Sequence, residues 1–270
     1  MRPRHWIKNG FVLAPLIFAG AATSLPAVLD ALQAVVLFCL ASSLAYIIND
    51  LRDVEADRNH PRKRIERPLA SGEVSPRQAM ILGLVLLLMI LAAYPGAAAV
   101  VHVVGLYLVV NLAYSLRLKH KPVIDIFCVS IGFVLRVYAG AVALEVPLSG
   151  WMFITTFSLA LFLAAIKRRQ ELAGEASGTR PVLEDYSLPL IDRFAEMAAV
   201  MAILSYSLFV VTVKPELVYS VPMVLFGIYR YWFLVESRGT GESPVDALLA
   251  DMQLQLVVLG WVIYCLWQIG

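Results

Sequence analysis

The residue types and spacings best suited to chemistry lie between Tyr46 and Arg67, in YIINDLRDVEADRNHPRKRIER. Asn49, Asp53 and Asp57 recur at intervals of four residues, so on a helix their side chains share one face. An amide and two carboxylates on one face suit Mg²⁺, which takes a carboxylate or two and completes its shell with phosphate oxygens and water. Arg58, Arg62, Lys63, Arg64 and Arg67 follow at once, and such cations suit phosphates. The stretch reads as a Mg²⁺–diphosphate site with Asn49, Asp53 and Asp57 as metal ligands and catalytic residues. The blander alternative is a solvated acidic helix end. It sits poorly with the apolar run leading into Asn49 and Asp50, because polar groups at an apolar boundary are costly and mark functional positions. Asp50 and Glu55 point off the shared face. Asp50 is open between a second metal and the cap of a neighbouring helix; Glu55 reads as solvated.

Five further stretches carry candidate groups. In HPRKRIERPLASG, Lys63, Arg64 and Arg67 lie nearest the acidic face, Pro61 and Pro68 stop the helix, and His60 beside Pro61 reads as structural rather than as a base. In LAYSLRLKHKPVID, Tyr114 falls at a membrane interface; Lys119 and Lys121 either bind phosphate or anchor a helix end, and Asp125 can pair with either. Arg136 lies 14 residues past Pro122, about 20 Å along a helix. At that depth an Arg must face a polar interior, either paired with a bundle carboxylate or holding a phosphate in a cavity. In AAIKRRQEL, Lys167 and Arg168 come off an apolar run, level with the acidic motif, and Lys167 and Glu171 are spaced as a surface pair. Arg230 repeats the argument made for Arg136, with Glu242 and Asp246 open between pairing with it and serving the fold of their loop.

These residues need an apolar scaffold. The chain has 270 residues, 60% apolar and only 16% charged, a mean hydropathy of +0.77 and a net charge of +2. Those values exclude an ordinary soluble domain. The apolar residues fall in blocks near the 20-residue length of a bilayer crossing. Nine spans are expected, at about 10–24, 27–49, 76–94, 97–116, 122–143, 151–169, 193–213, 216–235 and 248–268. The first is short and needs help from flanking residues to cross. Lys and Arg cluster in the N-terminus and in the loops after spans 2, 4, 6 and 8, whereas the alternate connections hold only Lys214. The positive-inside rule makes the basic side cytoplasmic. The opposite turns are tight, with Pro26, Pro95, Pro147 and Pro215. Cys39, Cys128 and Cys265 lie inside apolar blocks without metal-ligand spacing and read as packing residues. No cleavable signal peptide, repeat or low-complexity segment is evident. The expectation is an all-α, polytopic membrane bundle of nine transmembrane helices forming one domain over residues 1–270, around a central cavity open to the cytoplasmic side.

The pattern NDxxDxxxD closing span 2 of such a bundle resembles the UbiA superfamily of intramembrane prenyltransferases. Most of that superfamily carries a second Asp-rich motif after span 6; this chain has KRRQEL there, Lys167–Leu172. That departure resembles the decaprenyl-phosphate (polyprenyl-phosphate) phosphoribosyltransferase branch. The matching segments run in order through nearly the whole chain: RPRHWIKN (Arg2–Asn9), YxxNDxxDxxxD-x₂-HP-x-KR (Tyr46–Arg64), LAYS-x₂-LKH (Leu112–His120), R-x₂-AG (Arg136–Gly140), KRxxEL, and GE-x-P (Gly241–Pro244). The resemblance implies a Mg²⁺ enzyme of the bacterial inner membrane with its active site facing the cytoplasm. It would transfer 5-phosphoribosyl from 5-phosphoribosyl 1-diphosphate to a polyprenyl phosphate, releasing diphosphate, on a route to lipid-linked pentofuranose donors for envelope glycans. The implied substrate-binding set is Lys8, Tyr46, Asp50, Lys63, Arg64, Arg67, Tyr114, Lys119, Arg136, Lys167, Arg168, Glu171 and Arg230. The lipid phosphate is already anionic and needs no strong base, in keeping with the lack of a well-placed His. No nucleic-acid partner is expected, and the oligomeric state, a homo-oligomer included, stays open. The rival enzyme is a UbiA-type prenyltransferase moving a prenyl group from prenyl diphosphate to an aromatic acceptor, against which the missing second Asp motif argues. A transporter without chemistry is the rival from another class, and the paired broken helices common in transporters are not evident.

Overall fold

The computed structural model describes residues 3–59, 63–173, 181–238 and 244–270, apart from the side chains of Arg4, Lys63, Pro181, Arg238 and Pro244. The described residues are helical throughout, with connecting turns. A 3₁₀ helix, Pro3–Leu13, leads into α1 (Ala14–Phe18), then α2 (Leu25–Arg52), α3 (Val54–Arg58), α4 (Lys63–Glu66), α5 (Pro68–Ser71), α6 (Pro76–Ala92) and α7 (Tyr94–Leu116). After a 3₁₀ turn at Leu118–His120 come α8 (Ile124–Ala143), α9 (Gly150–Ala173), a second short turn at Pro181–Leu183 and α10 (Leu188–Val213). A last turn at Pro215–Ser220 precedes α11 (Val221–Arg238), α12 (Pro244–Ala250) and α13 (Met252–Ile269).

The helix starts follow the sequence. Ser24, Ser75, Ser187 and Asp251 each cap a first turn through a side-chain oxygen, and Ser75 forms a reciprocal box with Gln78. Among the described residues seven helices are long and apolar enough to cross a bilayer, and α6, at 17 residues, is a shorter apolar helix. Eight expected spans thus appear as helices close to their expected bounds. The first does not: residues 10–24 are no single α-helix but the end of the 3₁₀ helix followed by the five-residue α1. Eleven residues of 3₁₀ helix is long for a geometry that rarely exceeds a turn. Its larger rise, about 2.0 Å per residue against 1.5 Å in α1, takes the pair roughly 30 Å, about the hydrocarbon thickness.

External contacts keep this segment in place. Trp6 Nε1 donates to Ser43 Oγ (3.1 Å), the Asn9 amide donates to Ser42 Oγ (3.2 Å) and Cys39 Sγ (3.3 Å), and the His5 and Tyr46 rings lie 5.5 Å apart. One side of the 3₁₀ helix is therefore fastened along α2. The other rests on α8 at Gly140, where an added Cβ would stand 3.0 Å from the Val12 carbonyl carbon and collide with its oxygen. Glycine is required there for backbone to touch backbone.

Three buried cores form among the described residues. The first joins α2, α6, α7 and α8 around Phe38, Val104, Tyr107 and Leu135; the second joins α9, α10, α11 and α13 around Phe162, Ile166, Ile191 and Leu234; a smaller third gathers Tyr206, Phe209, Val210, Leu217 and Cys265. Cys128 and Cys265 are buried among apolar neighbours, as packing residues should be.

Candidate active site

The acidic motif sits where α2 gives way to α3. Asp53 (φ −92°, ψ 8°) ends α2, yet its N–H still donates to Asn49 O (2.9 Å), and the Asp57 N–H donates to Asp53 O (2.8 Å). The four-residue ladder continues across the break, so Asn49, Asp53 and Asp57 keep one face. Each has its own partner. Ser115 Oγ, from the end of α7, donates to Asn49 Oδ1 at 3.2 Å. Lys119 Nζ lies 2.8 and 3.0 Å from the two Asp53 carboxylate oxygens. Arg67 donates to the buried carboxylate of Asp57 and stands 3.3 Å from Asp50. Asp50, expected to point away, shares its cation with Asp57, because the chain folds back through α4 and α5 and brings Arg67 over both. Arg64 and Glu55 are exposed. His60, Pro61 and Arg62 lie outside the described residues, as does the Lys63 side chain.

Among the described residues no group of three or more His, Cys, Asp or Glu is placed to hold a metal ion by itself. An amide with neighbouring carboxylates is nevertheless the chemistry of a hard cation that completes its shell from phosphate oxygens and water. The donors fit Mg²⁺ bound together with a diphosphate, and not an all-protein cage.

A second polar cluster lies at the end of α9. Arg168 is only 3% exposed. Its Nε donates to Asp125 Oδ2 (2.5 Å), one terminal nitrogen to Glu171 Oε2 (2.5 Å) and the other to Tyr114 Oη (2.9 Å). Asp125, expected to pair with Lys119 or Lys121, pairs with Arg168 instead: the first turn of α8 faces α9, and Lys119 is taken by Asp53. The Tyr186 hydroxyl donates to Asp125 Oδ1 (2.7 Å) and accepts from the Val123 N–H (2.6 Å). Burial pushes the Tyr186 hydroxyl pKa well above the ordinary phenol range. The Val123 hydrogen bond pulls it down and the Asp125 carboxylate adds to the rise, so the group stays a proton donor. Lys167 is 42% exposed along its side chain, with Nζ 3.9 Å from Glu171.

Arg136 forms a third node. It donates to Asn9 Oδ1 (2.9 Å), Gly132 O (2.8 Å) and Tyr107 Oη (3.0 Å), between the rings of Tyr107 and Phe133. Its described partners include no carboxylate, which sets aside the ion-pair reading; a buried guanidinium here ties the 3₁₀ helix to α8 and α7. Arg136→Ala strands Asn9 and Tyr107 in the core and is expected to cost about 3 kcal/mol. The thermal midpoint in detergent should fall before KM for a phosphorylated substrate changes. Arg230 pairs in two-pronged fashion with Asp251 (3.1 and 2.6 Å), the residue that caps α13. Of the two acids weighed as its partners, Glu242 lies outside the described residues and Asp246 sits on α12.

An apolar cavity of about 410 Å³ opens between the N-terminal segment and α9, α10, α11 and α13. Its walls include Phe11, Phe133, Phe162, Phe209 and Trp261, and Lys8 is its only charged lining residue among the described residues. Such a chamber is lined for an apolar chain, with Lys8 as the charged group on its wall. Sequence reasoning missed Ser115, Tyr186, Asn9 as a buried hub, and Asp251. All are tied to their partners across long stretches of chain, and none carries a spacing signal.

The UbiA prenyltransferase family model matches residues 11–250. The chain is similar to the decaprenyl-phosphate phosphoribosyltransferase of Corynebacterium glutamicum, at 38% identity over 98% of this chain and 84% of that one. It is similar at 36% identity to that of Mycobacterium tuberculosis, over 97% of this chain and 90% of the relative. A solved structure of a UbiA homolog from Archaeoglobus fulgidus bound to GPP and Mg²⁺ matches with a TM-score of 0.75 at 21% identity, covering 99% of this chain and 97% of that one.

Proposed function

Because the chain belongs to the UbiA prenyltransferase family, we propose that it is a Mg²⁺-dependent polyprenyl-phosphate phosphoribosyltransferase. The donor is 5-phosphoribosyl 1-diphosphate and the acceptor a polyprenyl phosphate such as decaprenyl phosphate. The bond from ribose C1 to the diphosphate oxygen breaks, a bond from C1 to a lipid-phosphate oxygen forms, and diphosphate leaves. The observation that carries the reading is that Asp50, Asp53 and Asp57 of the single acidic motif each meet a cation. Lys119 and Arg67 stand on its carboxylates, and α9 presents Lys167 where most of the superfamily has acids. Such a rim suits a reaction with three phosphate-bearing groups better than one with a single prenyl diphosphate.

Asn49, Asp53 and Asp57 would hold the metal, which would supply Lewis-acid stabilisation of charge on the leaving diphosphate. Lys119 and Arg67 neutralise the same group, the more strongly for being partly withdrawn from water. Positive charge builds at C1 as the bond lengthens, as in other displacements at sugar carbons. The acceptor attacks as an anion, so no side chain has to remove a proton. Lys8 binds the lipid phosphate, and the apolar cavity receives the start of the tail. Tyr46 lines the approach, with its ring against His5, and Tyr114 and Glu171 orient Arg168 beneath Lys167. Arg230 holds α11 against α13 beside this chamber.

In this reading the chain forms one domain of nine crossings in a bacterial inner membrane, the extended N-terminal segment serving as the first. The basic loops and the active site face the cytoplasm, where a charged sugar phosphate is available. Incubating the purified protein with ribose-labelled donor and polyprenyl phosphate should move label into the organic phase. Label entering only from prenyl diphosphate, into an aromatic acceptor, would establish the rival reaction. Lys167→Ala should raise KM for the donor about tenfold, as loss of ground-state binding does. Steady-state kinetics check this, and the thermal midpoint should change little because the side chain is half-exposed and its pair with Glu171 is long, at 3.9 Å.

A further inference from the structure

The turn between α7 and α8 carries Lys119 at one end and an unusual backbone at the other. Val123 has φ 67° and ψ −47°. Around it the Ile124 N–H donates to Pro122 O at 2.7 Å, closing a γ-turn. A β-branched residue at positive φ is rare and strained, and such strain persists only where the surroundings hold it. The hold here comes from outside the turn. Tyr186, 6% exposed and packed in the second core, accepts the Val123 N–H through its hydroxyl and donates the same hydroxyl to Asp125, which Arg168 secures from α9. Four residues before Val123, Lys119 reaches the Asp53 carboxylate.

We propose that Tyr186 is a positioning residue for the donor site, fixing the strained Val123 turn so that Lys119 stays on Asp53. This rests on the proposed reaction and adds a residue 63 positions along the chain from the turn it holds. The phenol touches no substrate; it acts through the strained peptide of the 118–123 loop, and its ring only fills space. Tyr186→Phe keeps that ring and removes the two hydrogen bonds.

The test is a double-mutant cycle with Lys119→Gln, read beside hydrogen–deuterium exchange. Tyr186→Phe is expected to raise KM for 5-phosphoribosyl 1-diphosphate about tenfold, to leave KM for polyprenyl phosphate unchanged, and to shift kcat less than about threefold. In the Lys119→Gln background the same change should add less than about twofold, since the lysine it acts through is gone. In protein without substrate, amides over 118–123 should exchange faster in Tyr186→Phe than in wild type. An undiminished effect in the Lys119→Gln background, or unaltered exchange over 118–123, would overturn the proposal. A wild-type protein that transfers no phosphoribosyl would sink the reaction, and the exchange comparison would then decide this inference by itself.

Discussion

Asp53→Asn is expected to lower turnover on the order of 10³-fold or more, the size of loss seen when a preorganised charge-stabilising group is removed, and chelating Mg²⁺ should do the same. The substitution keeps the shape and one oxygen but removes the charge that both a divalent cation and Lys119 require. The fold should tolerate it. Asp53 keeps 24% of its side chain exposed and the amide still offers an oxygen to Lys119, so the cost should stay within the roughly 0.5–3 kcal/mol of an ordinary substitution. Matched kinetics and thermal melts therefore separate the roles: activity lost, midpoint held. Full activity in EDTA would contradict the metal assignment.

Gly140→Ala is expected to be the most damaging alanine substitution among the described glycines. Its Cβ would collide with the Val12 carbonyl oxygen and stand 3.2 Å from the Pro15 ring, and Val12 is fully buried on a segment pinned by Asn9 to Arg136. Backbone cannot swing aside as a long side chain can. The cost should reach or pass the upper end of the roughly 1–3 kcal/mol typical of overpacking. The N-terminal segment would lift from α8, carrying Lys8 away from the cavity. The checks are a lowered thermal midpoint and increased proteolytic cleavage within Pro3–Phe18; a wild-type melting curve would show that the contact is softer than it looks.

The two halves of the R-x₂-AG motif thus have physical reasons that sequence alone does not supply. Arg136 is legible as a costly buried cation, but its neutral partners Asn9, Gly132 and Tyr107 come from three elements. The long helices are legible because blocks of Leu, Val and Ile of crossing length leave few other structures. The first expected span reads as an α-helix in sequence because a 3₁₀ helix has no strong periodic signature and this one depends on tertiary contacts. The acidic face is readable from its spacing, since the ladder from Asn49 to Asp57 survives the break at Asp53. Its cations are only partly readable. Nothing near Lys119 or Arg67 indicates which acid each will meet, and Arg168 reads as a phosphate ligand in sequence although Asp125, Glu171 and Tyr114 occupy its guanidinium. Tyr186 is invisible for the same reason, its partner Asp125 lying 61 residues away.

The central claim is that a divalent ion on the Asn49–Asp57 face engages the diphosphate of the donor. Anomalous diffraction from crystals grown with Mn²⁺ and 5-phosphoribosyl 1-diphosphate tests it most directly. The account predicts a metal peak at coordination distance, about 2.1 Å, from an Asp53 carboxylate oxygen and from diphosphate oxygens, with Lys119 turned onto phosphate. A peak elsewhere, or donor bound with Asp53 still closed on Lys119, would contradict it.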